Sequence, residues 1–119
     1  MRPELNEGDF VFCTVPAGKK IETEEIIGTF KEKEGITIIT RKDFADKMSL
    51  PYHFIAAWIT LTVHSSLDAV GLTATFSTSL AAEGISCNVV AAYYHDHIFV
   101  AKKDTEKAME ILRKLSVTF

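Results

Sequence analysis

From Met48 to Ala101 the chain contains no lysine and no arginine, and the only formal charges in those 54 residues are Asp68, Glu83 and Asp96. All thirteen basic residues lie outside it, between residues 2 and 47 or between residues 102 and 114. A solvated protein surface normally carries about a quarter or more charged residues. A stretch this poor in charge therefore predicts the central strands of a core, and whatever part of it is not buried predicts a face covered by another subunit. With 119 residues the chain is long enough to bury such a core without metal or disulfide staples.

The charge balance also excludes some partners. A net charge of -3, with no run of Lys and Arg, leaves no electrostatic footprint for the nucleic-acid backbone or for an anionic membrane. The opening residues, Met1-Arg2-Pro3-Glu4-Leu5-Asn6-Glu7, hold no apolar run of signal-peptide length, and no window approaches a membrane span, so a cytoplasmic protein is expected. Cys13 and Cys87 sit in apolar alternating runs without C-x-x-C spacing, which favours reduced, buried thiols over a disulfide or metal pair.

Strand and helix signals alternate along the chain. Asp9 to Val15 is rich in aromatic and β-branched residues and is stopped by Pro16-Ala17-Gly18, which predicts a strand. Lys19 to Glu25 reads as a connection. Ile26 to Lys33 suits a strand or a short helix, with strand favoured, and Ile36 to Thr40 is a β-branched strand. Arg41 to Met48 predicts a short helix with Phe44 and Met48 on one face, ended before Pro51.

The second half is cleaner. Trp58 to His64 alternates, with Ile59, Leu61 and Val63 on one face and Thr60, Thr62 and His64 on the other. Ser65-Ser66-Leu67-Asp68 resembles a capping box, and Leu72, Phe76 and Leu80 recur along one face of the helix it opens, which should stop at Gly84. Ile85 to Ala91 alternates as a strand, Tyr93 to Asp96 forms a hairpin, and His97 to Ala101 returns. Asp104 is a candidate N-cap for a last helix with Ala108, Ile111, Leu112 and Leu115 on one stripe, and residues 116 to 119 suit a short final strand. The order β-α-β-β-α with a last β is the split arrangement of the ferredoxin-like α+β fold, two helices on one face of an antiparallel sheet. The other face, with Thr60, Thr62, Ser86, Asn88 and Val90, is uncharged and suits contact with a second sheet.

Residues 57 to 115 resemble an ACT domain, the small ligand-binding regulatory module attached to many enzymes of amino-acid metabolism. The resemblance rests on Asp68-Ala69-Val70-Gly71-Leu72, which matches the family's Asp-x-Pro-Gly-Leu loop apart from Val70 in the proline position. It rests also on Gly84-Ile85-Ser86-Cys87-Asn88, at the opening of the second strand, and on the acidic helix start at Asp104. The strings Val-His-Ser-Ser-Leu, Ala-Val-Gly-Leu-Thr, Gly-Ile-Ser-Cys-Asn-Val-Val-Ala and Tyr-Tyr-His-Asp-His-Ile-Phe-Val, all between Val63 and Val100, are similar to small stand-alone proteins in which an abbreviated ACT-like unit precedes a full one. They are similar too to the tandem ACT region of aspartate kinases. The resemblance implies an abbreviated unit over residues 1–50 and a full ACT domain over residues 51–119.

What the resemblance implies is ligand binding rather than chemistry, with no cofactor. An amino-acid effector would sit where the first strand-to-helix loop of one unit faces the second strand of a neighbour. Carried onto this chain, that points to His64, Ser65, Ser66, Asp68, Val70 and Gly71 in the loop and to Ser86, Asn88 and Val89 on the strand. A glycine beside a helix start lets backbone amides approach a carboxylate, and Asp68 or Asn88 would receive an ammonium group. The same residues also read as an ordinary helix cap and a packing glycine.

Competing chemistry is weaker. His95 and His97 share one side of an extended strand next to Asp96, but two histidines and one aspartate at a hairpin tip fall short of a three-ligand zinc site with its outer shell. Neither a Gly-x-Ser-x-Gly elbow nor a phosphate-binding glycine loop is present, and adjacency of His64 and Ser65 is not a nucleophile-base geometry. The expectation is a non-enzymatic regulatory protein that binds an amino acid between units or subunits, completed by homodimerisation and reporting to an enzyme of amino-acid metabolism. The alternative is a protein-interaction or dimerisation module of the same fold without a ligand.

Overall fold

A computed structural model of the protein describes residues 2–21, 23–62 and 72–116. The chain divides into two units, Gly8–Ala56, and Met1–Glu7 together with Ala57–Phe119. The first strand, β1 (Arg2–Val15), crosses that boundary, so its two halves serve different units.

In the unit Gly8–Ala56, β1 pairs antiparallel with β3 (Ile36–Arg41), from Phe10 opposite Arg41 to Val15 opposite Ile36. β3 also pairs antiparallel with β2 (Ile26–Lys31), so the segment that suited either strand or helix is a strand. Alternation aims Val11, Cys13 and Val15 into a core shared with Ile38, Ala45 and Leu50. The short helix α1 (Lys42–Lys47) lies within the expected span, but only one of its two expected apolar contacts forms. Phe44 is buried while Met48 is 45% exposed. The helix is only six residues long and ends before Met48 in a Schellman turn. Ser49, at φ 56°, donates its N–H to the Asp46 carbonyl at 3.2 Å, and Leu50 donates to Ala45 at 2.8 Å. That turn delivers Leu50 rather than Met48 to the core.

In the other unit the elements are β4 (Ile55–Thr62), α2 (Leu72–Ala82), β5 (Cys87–Ala91), β6 (Asp96–Ala101) and α3 (Thr105–Ser116). The strand order is β1-β4-β6-β5, which leaves β5 at the edge. Ile59 and Leu61 from β4, Ile98 and Val100 from β6, Phe76 and Leu80 from α2 and Ala108 and Leu112 from α3 form one core. The helices thus cover one face of the sheet, and each large side chain buried there contributes about 1.5–3 kcal/mol. Ile111 and Leu115 pack at its margin as the stripe predicts, and Met109 joins it as well. Asp104 stands immediately before α3, at the end of a 3-10 turn over Lys102–Asp104.

β1 begins at Arg2, seven residues before the strand read from sequence. Pro3-Glu4-Leu5-Asn6-Glu7 lacks apolar alternation because it pairs through its backbone, with side chains turned largely to solvent. It occupies the sheet position next to β4, where Thr62 Oγ1 donates to the Arg2 carbonyl at 3.0 Å. Of the expected final strand, Ser116 ends α3, and residues 117–119 lie outside the described residues.

Candidate ligand-binding site

Six of the nine candidate residues, His64, Ser65, Ser66, Asp68, Val70 and Gly71, lie outside the described residues. The other three stand on the approach to β5 and on β5 itself, and the local sequence explains how they are presented. At the end of α2, Gly84 adopts φ 74°, its N–H donates to Ala81 at 2.9 Å, and Ile85 donates to Leu80 at 3.0 Å. This is a second Schellman turn, in which Ile85 is buried beside Leu80 as an anchor. The chain then emerges at Ser86, which is exposed, as are Asn88 and Val89. Asn88 lies opposite Phe99 and Val89 opposite Ile98 on β6. Because Cys87 packs against the helix-side core, alternation turns Asn88 to the opposite face.

That opposite face carries a polar network that was not singled out from the sequence. The Trp58 indole N–H donates to His97 Nδ1 at 2.9 Å, and Thr60 Oγ1 lies 3.1 Å from the same nitrogen. An indole can only donate, so Nδ1 accepts and the imidazole proton sits on Nε2. Asn6 Nδ2 donates to Thr60 Oγ1 at 2.9 Å and to the Trp58 carbonyl at 3.2 Å, which joins β1, β4 and β6. Trp58 also stacks on Phe99, with centroids 6.2 Å apart. The signal was available: Trp58 and Thr60 share the β4 face opposite Ile59 and Leu61.

Burial holds the His97 imidazolium pKa below its ordinary value, the neighbouring His95 adds to this, and Asp96 opposes it. His95 and His97 have ring centroids 6.5 Å apart, and His95 Nδ1 is buried without a hydrogen bond. Among the described residues no group of three or more His, Cys, Asp or Glu side chains is arranged to hold a metal ion. Cys13 and Cys87 are free thiols. Cys13 is buried, whereas Cys87 is only half-buried, because β5 is an edge strand.

The unit Gly8–Ala56 has an open cavity of about 290 Å³ bounded by Gly8, Asp9, Arg41, Lys42, Asp43 and Asp46. Its charges engage one another. Lys42 Nζ meets Asp46 at 2.9 Å, and the Tyr52 hydroxyl donates to the other Asp46 oxygen at 2.7 Å. The Tyr52 and Lys42 hydrogen bonds hold the Asp46 carboxyl below its usual pKa. The Arg41 guanidinium lies 5.6 Å from the Phe10 ring centroid and against Gly8, where a Cβ would stand 2.8 Å from one of its nitrogens.

Two helices on one face of an antiparallel sheet, with an uncharged edge strand, define an α+β protein of ferredoxin-like class. An ACT domain family matches residues 1–57 and a second ACT domain family matches residues 54–114. The chain belongs to the ACT domain family, with two units in tandem. ACT domains are generally regulatory and bind small ligands.

Among solved structures, a Vibrio cholerae protein of unknown function, described as a possible transport protein, is 46% identical, with a TM-score of 0.84 over 95% of this chain and 88% of that one. An Agrobacterium tumefaciens protein is 17% identical, with a TM-score of 0.76 over 95% of this chain and 87% of the other. The ligand-free regulatory subunit of aspartate kinase from Thermus thermophilus shares the fold at 10% identity and a TM-score of 0.64, over 96% of each chain. No curated protein gave a significant match. Among the described residues no helix is long and apolar enough to cross a membrane.

Proposed function

We propose that the protein is a non-enzymatic sensor that binds a free amino acid at a subunit interface completed by homodimerisation. The observation that carries this reading is the exposed, uncharged segment Ser86 to Val89, on an ACT chain whose second-strand position it occupies. The effector's ammonium group is assigned to Asn88 or Asp68. Its carboxylate is assigned to the backbone amides and hydroxyls of Ser65, Ser66 and Gly71, with His64 and Val70 lining the loop, because residues 48 to 101 supply no Lys or Arg to grip it. Output would pass to an enzyme of amino-acid metabolism through a difference in its affinity for the bound and free forms.

Titration calorimetry of the full chain against each of the common amino acids tests this, with thermal shift as the linked readout. One amino acid should bind, and Asn88→Ala should weaken it at least about tenfold, or roughly 1.4 kcal/mol, without lowering the melting temperature. Absence of binding by every amino acid, or unchanged affinity in both Asn88→Ala and Ser66→Ala, sinks the reading. Tyr93 and Tyr94, 87% and 79% exposed, favour as a second reading a docking module with no ligand.

A further inference from the structure

Trp58 and Thr60 meet His97 at a single nitrogen, and they differ in what they can do there. Trp58 Nε1 lies 2.9 Å from His97 Nδ1, and Thr60 Oγ1 lies 3.1 Å from it. An indole nitrogen only donates, whereas a hydroxyl donates or accepts. The Trp58 contact therefore requires a bare Nδ1, while Thr60 can bond that nitrogen whether it is bare or protonated. Asn6 Nδ2 donates to Thr60 Oγ1 at 2.9 Å, which takes one of the two oxygen lone pairs and leaves the second for an N–H from the ring.

The surroundings of His97 give its charge state weight. From Met48 to Ala101 there is no Lys or Arg, so a cationic side chain arises in that stretch only by protonation of a histidine. Ile98 and Val100 point into the helix-side core, so alternation sets His97 on the other face of the sheet, half-buried. On that face Val90 stands opposite on β5 with Asn88 two residues along, Trp58 and Thr60 meet the ring from β4, and Asn6 on β1 connects through Thr60. None of these five titrates. The charged or titratable neighbours are His95 and Asp96 on β6 itself, with Arg2 and Glu4 on the Asn6 face of β1, both exposed, and Tyr93 and Tyr94 at the hairpin tip, largely in solvent. Burial and then His95 disfavour a charge on His97, and Asp96 favours one.

We propose that Trp58, His97 and Thr60 form a proton-operated switch, in which neutral His97 accepts the Trp58 indole N–H at Nδ1 and protonated His97 donates from Nδ1 to Thr60 Oγ1, releasing the indole. The proton comes from solvent and adds to Nδ1, Nε2 keeps its own, and no other covalent bond changes. The Thr60 hydroxyl hydrogen turns away from the ring, and Thr60 keeps its bond from Asn6. β1, β4 and β6 thus stay joined through Thr60, while the indole N–H turns to water. Ile59, Leu61, Ile98 and Val100 pack on the opposite face and take no part. Acid therefore rearranges one face of the sheet, places a positive charge on it and leaves the fold standing. The switch does not involve a bound amino acid and stands or falls apart from the sensor reading.

Trp58 is the protein's sole tryptophan, so its fluorescence and its indole N–H resonance report the contact in the full chain without a label. Both are followed with the His97 ring by NMR and fluorescence titration from roughly pH 8 to pH 5. The indole signals and the ring should share one midpoint below 6.5, with the far-ultraviolet circular dichroism unchanged. His97→Gln, whose amide oxygen can accept the indole N–H at every pH, should abolish the indole transition. His95→Gln should keep it and move its midpoint up, since one repelling charge is gone. Thr60→Val separates a switch from a passive contact. It removes the acceptor of the protonated ring, so the His97 midpoint should fall by at least about half a pH unit, whereas a threonine that serves only the neutral ring would let it rise. An indole unmoved through the His97 titration, a transition that survives His97→Gln or is lost in His95→Gln, release only with global unfolding, or a midpoint unchanged or raised by Thr60→Val overturns the proposal. Should Thr60→Val not fold, the wild-type indole titration and His97→Gln decide.

Discussion

The Trp58 indole N–H is donated to His97 Nδ1 at 2.9 Å, so the ring of a strand β6 histidine is held in its neutral form by a strand β4 tryptophan that cannot accept a hydrogen bond in return. A proton added to Nδ1 would oppose two N–H groups and break the contact. Burial and the nearby His95 act in the same direction, against the opposing pull of Asp96.

The pH dependence follows from that sign. His97 has a folded pKa below the ordinary 6.5, so below that pH the unfolded chain binds more protons than the folded one. Its contribution to stability is present above 6.5 and declines as the pH falls through 6.5 toward the folded pKa. Thermal melts of wild type should weaken on acidification through this window, and those of His97→Gln should do so less steeply. NMR titration of the His97 ring should show its pKa rise toward the ordinary value in Trp58→Phe; an unchanged titration would mean that the indole does not hold the ring.

Thr60 links the same histidine to Asn6. Thr60→Val keeps the shape but removes the hydroxyl, leaving Asn6 short of one acceptor and His97 Nδ1 of one partner. The expected loss is about 1–2 kcal/mol, measured by urea denaturation, with no change in slope.

The two Schellman turns make a matched pair. One places glycine in the left-handed region, at Gly84 with φ 74°, and the other places serine there, at Ser49 with φ 56°. Gly84→Ala should destabilise by about 1–2 kcal/mol, whereas Ser49→Gly should stabilise by up to about 1 kcal/mol because the strain is relieved. Equilibrium unfolding of both variants checks the opposite signs.

Phe76 is fully buried in the core formed by α2, α3, β4 and β6. Phe76→Ala should lower stability by about 3–5 kcal/mol, a large part of what a single domain possesses. A loss below about 1 kcal/mol in chemical denaturation would contradict the packing of α2 on the sheet.

Burial pushes the Cys87 thiol up to about 11, from 9.0, and burial followed by the charge of Asp46 raises Cys13 as well. Two pH units mean roughly a hundredfold less thiolate at Cys87 than in the open chain. A thiol reagent at neutral pH should therefore label native protein slowly at both cysteines and rapidly after addition of urea.

Much of the fold was legible in the residues. Ile59 and Leu61 alternate with Thr60 and Thr62, Leu72, Phe76 and Leu80 recur at helical spacing, and Gly84 marks a stop. Each is a local rule, in which a side chain's type and spacing state which face is buried. Two details were not local. Met48 has helical spacing from Phe44 but stays exposed, because the Ser49 turn sends Leu50 inward instead. Trp58 and His97 are 39 residues apart, and nothing in either segment announces their hydrogen bond.

The α+β class and the charge-poor stretch without Lys or Arg were fixed residue by residue, through periodicity and composition, whereas the tandem ACT character was carried by the resemblance of whole motif strings between Val63 and Val100. Tertiary structure alone decided that Arg2 to Glu7 fills the sheet position beside β4, that Asn6, Trp58, Thr60 and His97 form one network, and that β5 is the edge. Strand pairing is made by backbone groups that every residue carries. Which segments share a ladder therefore leaves little trace in side-chain pattern and is settled only when the chain folds.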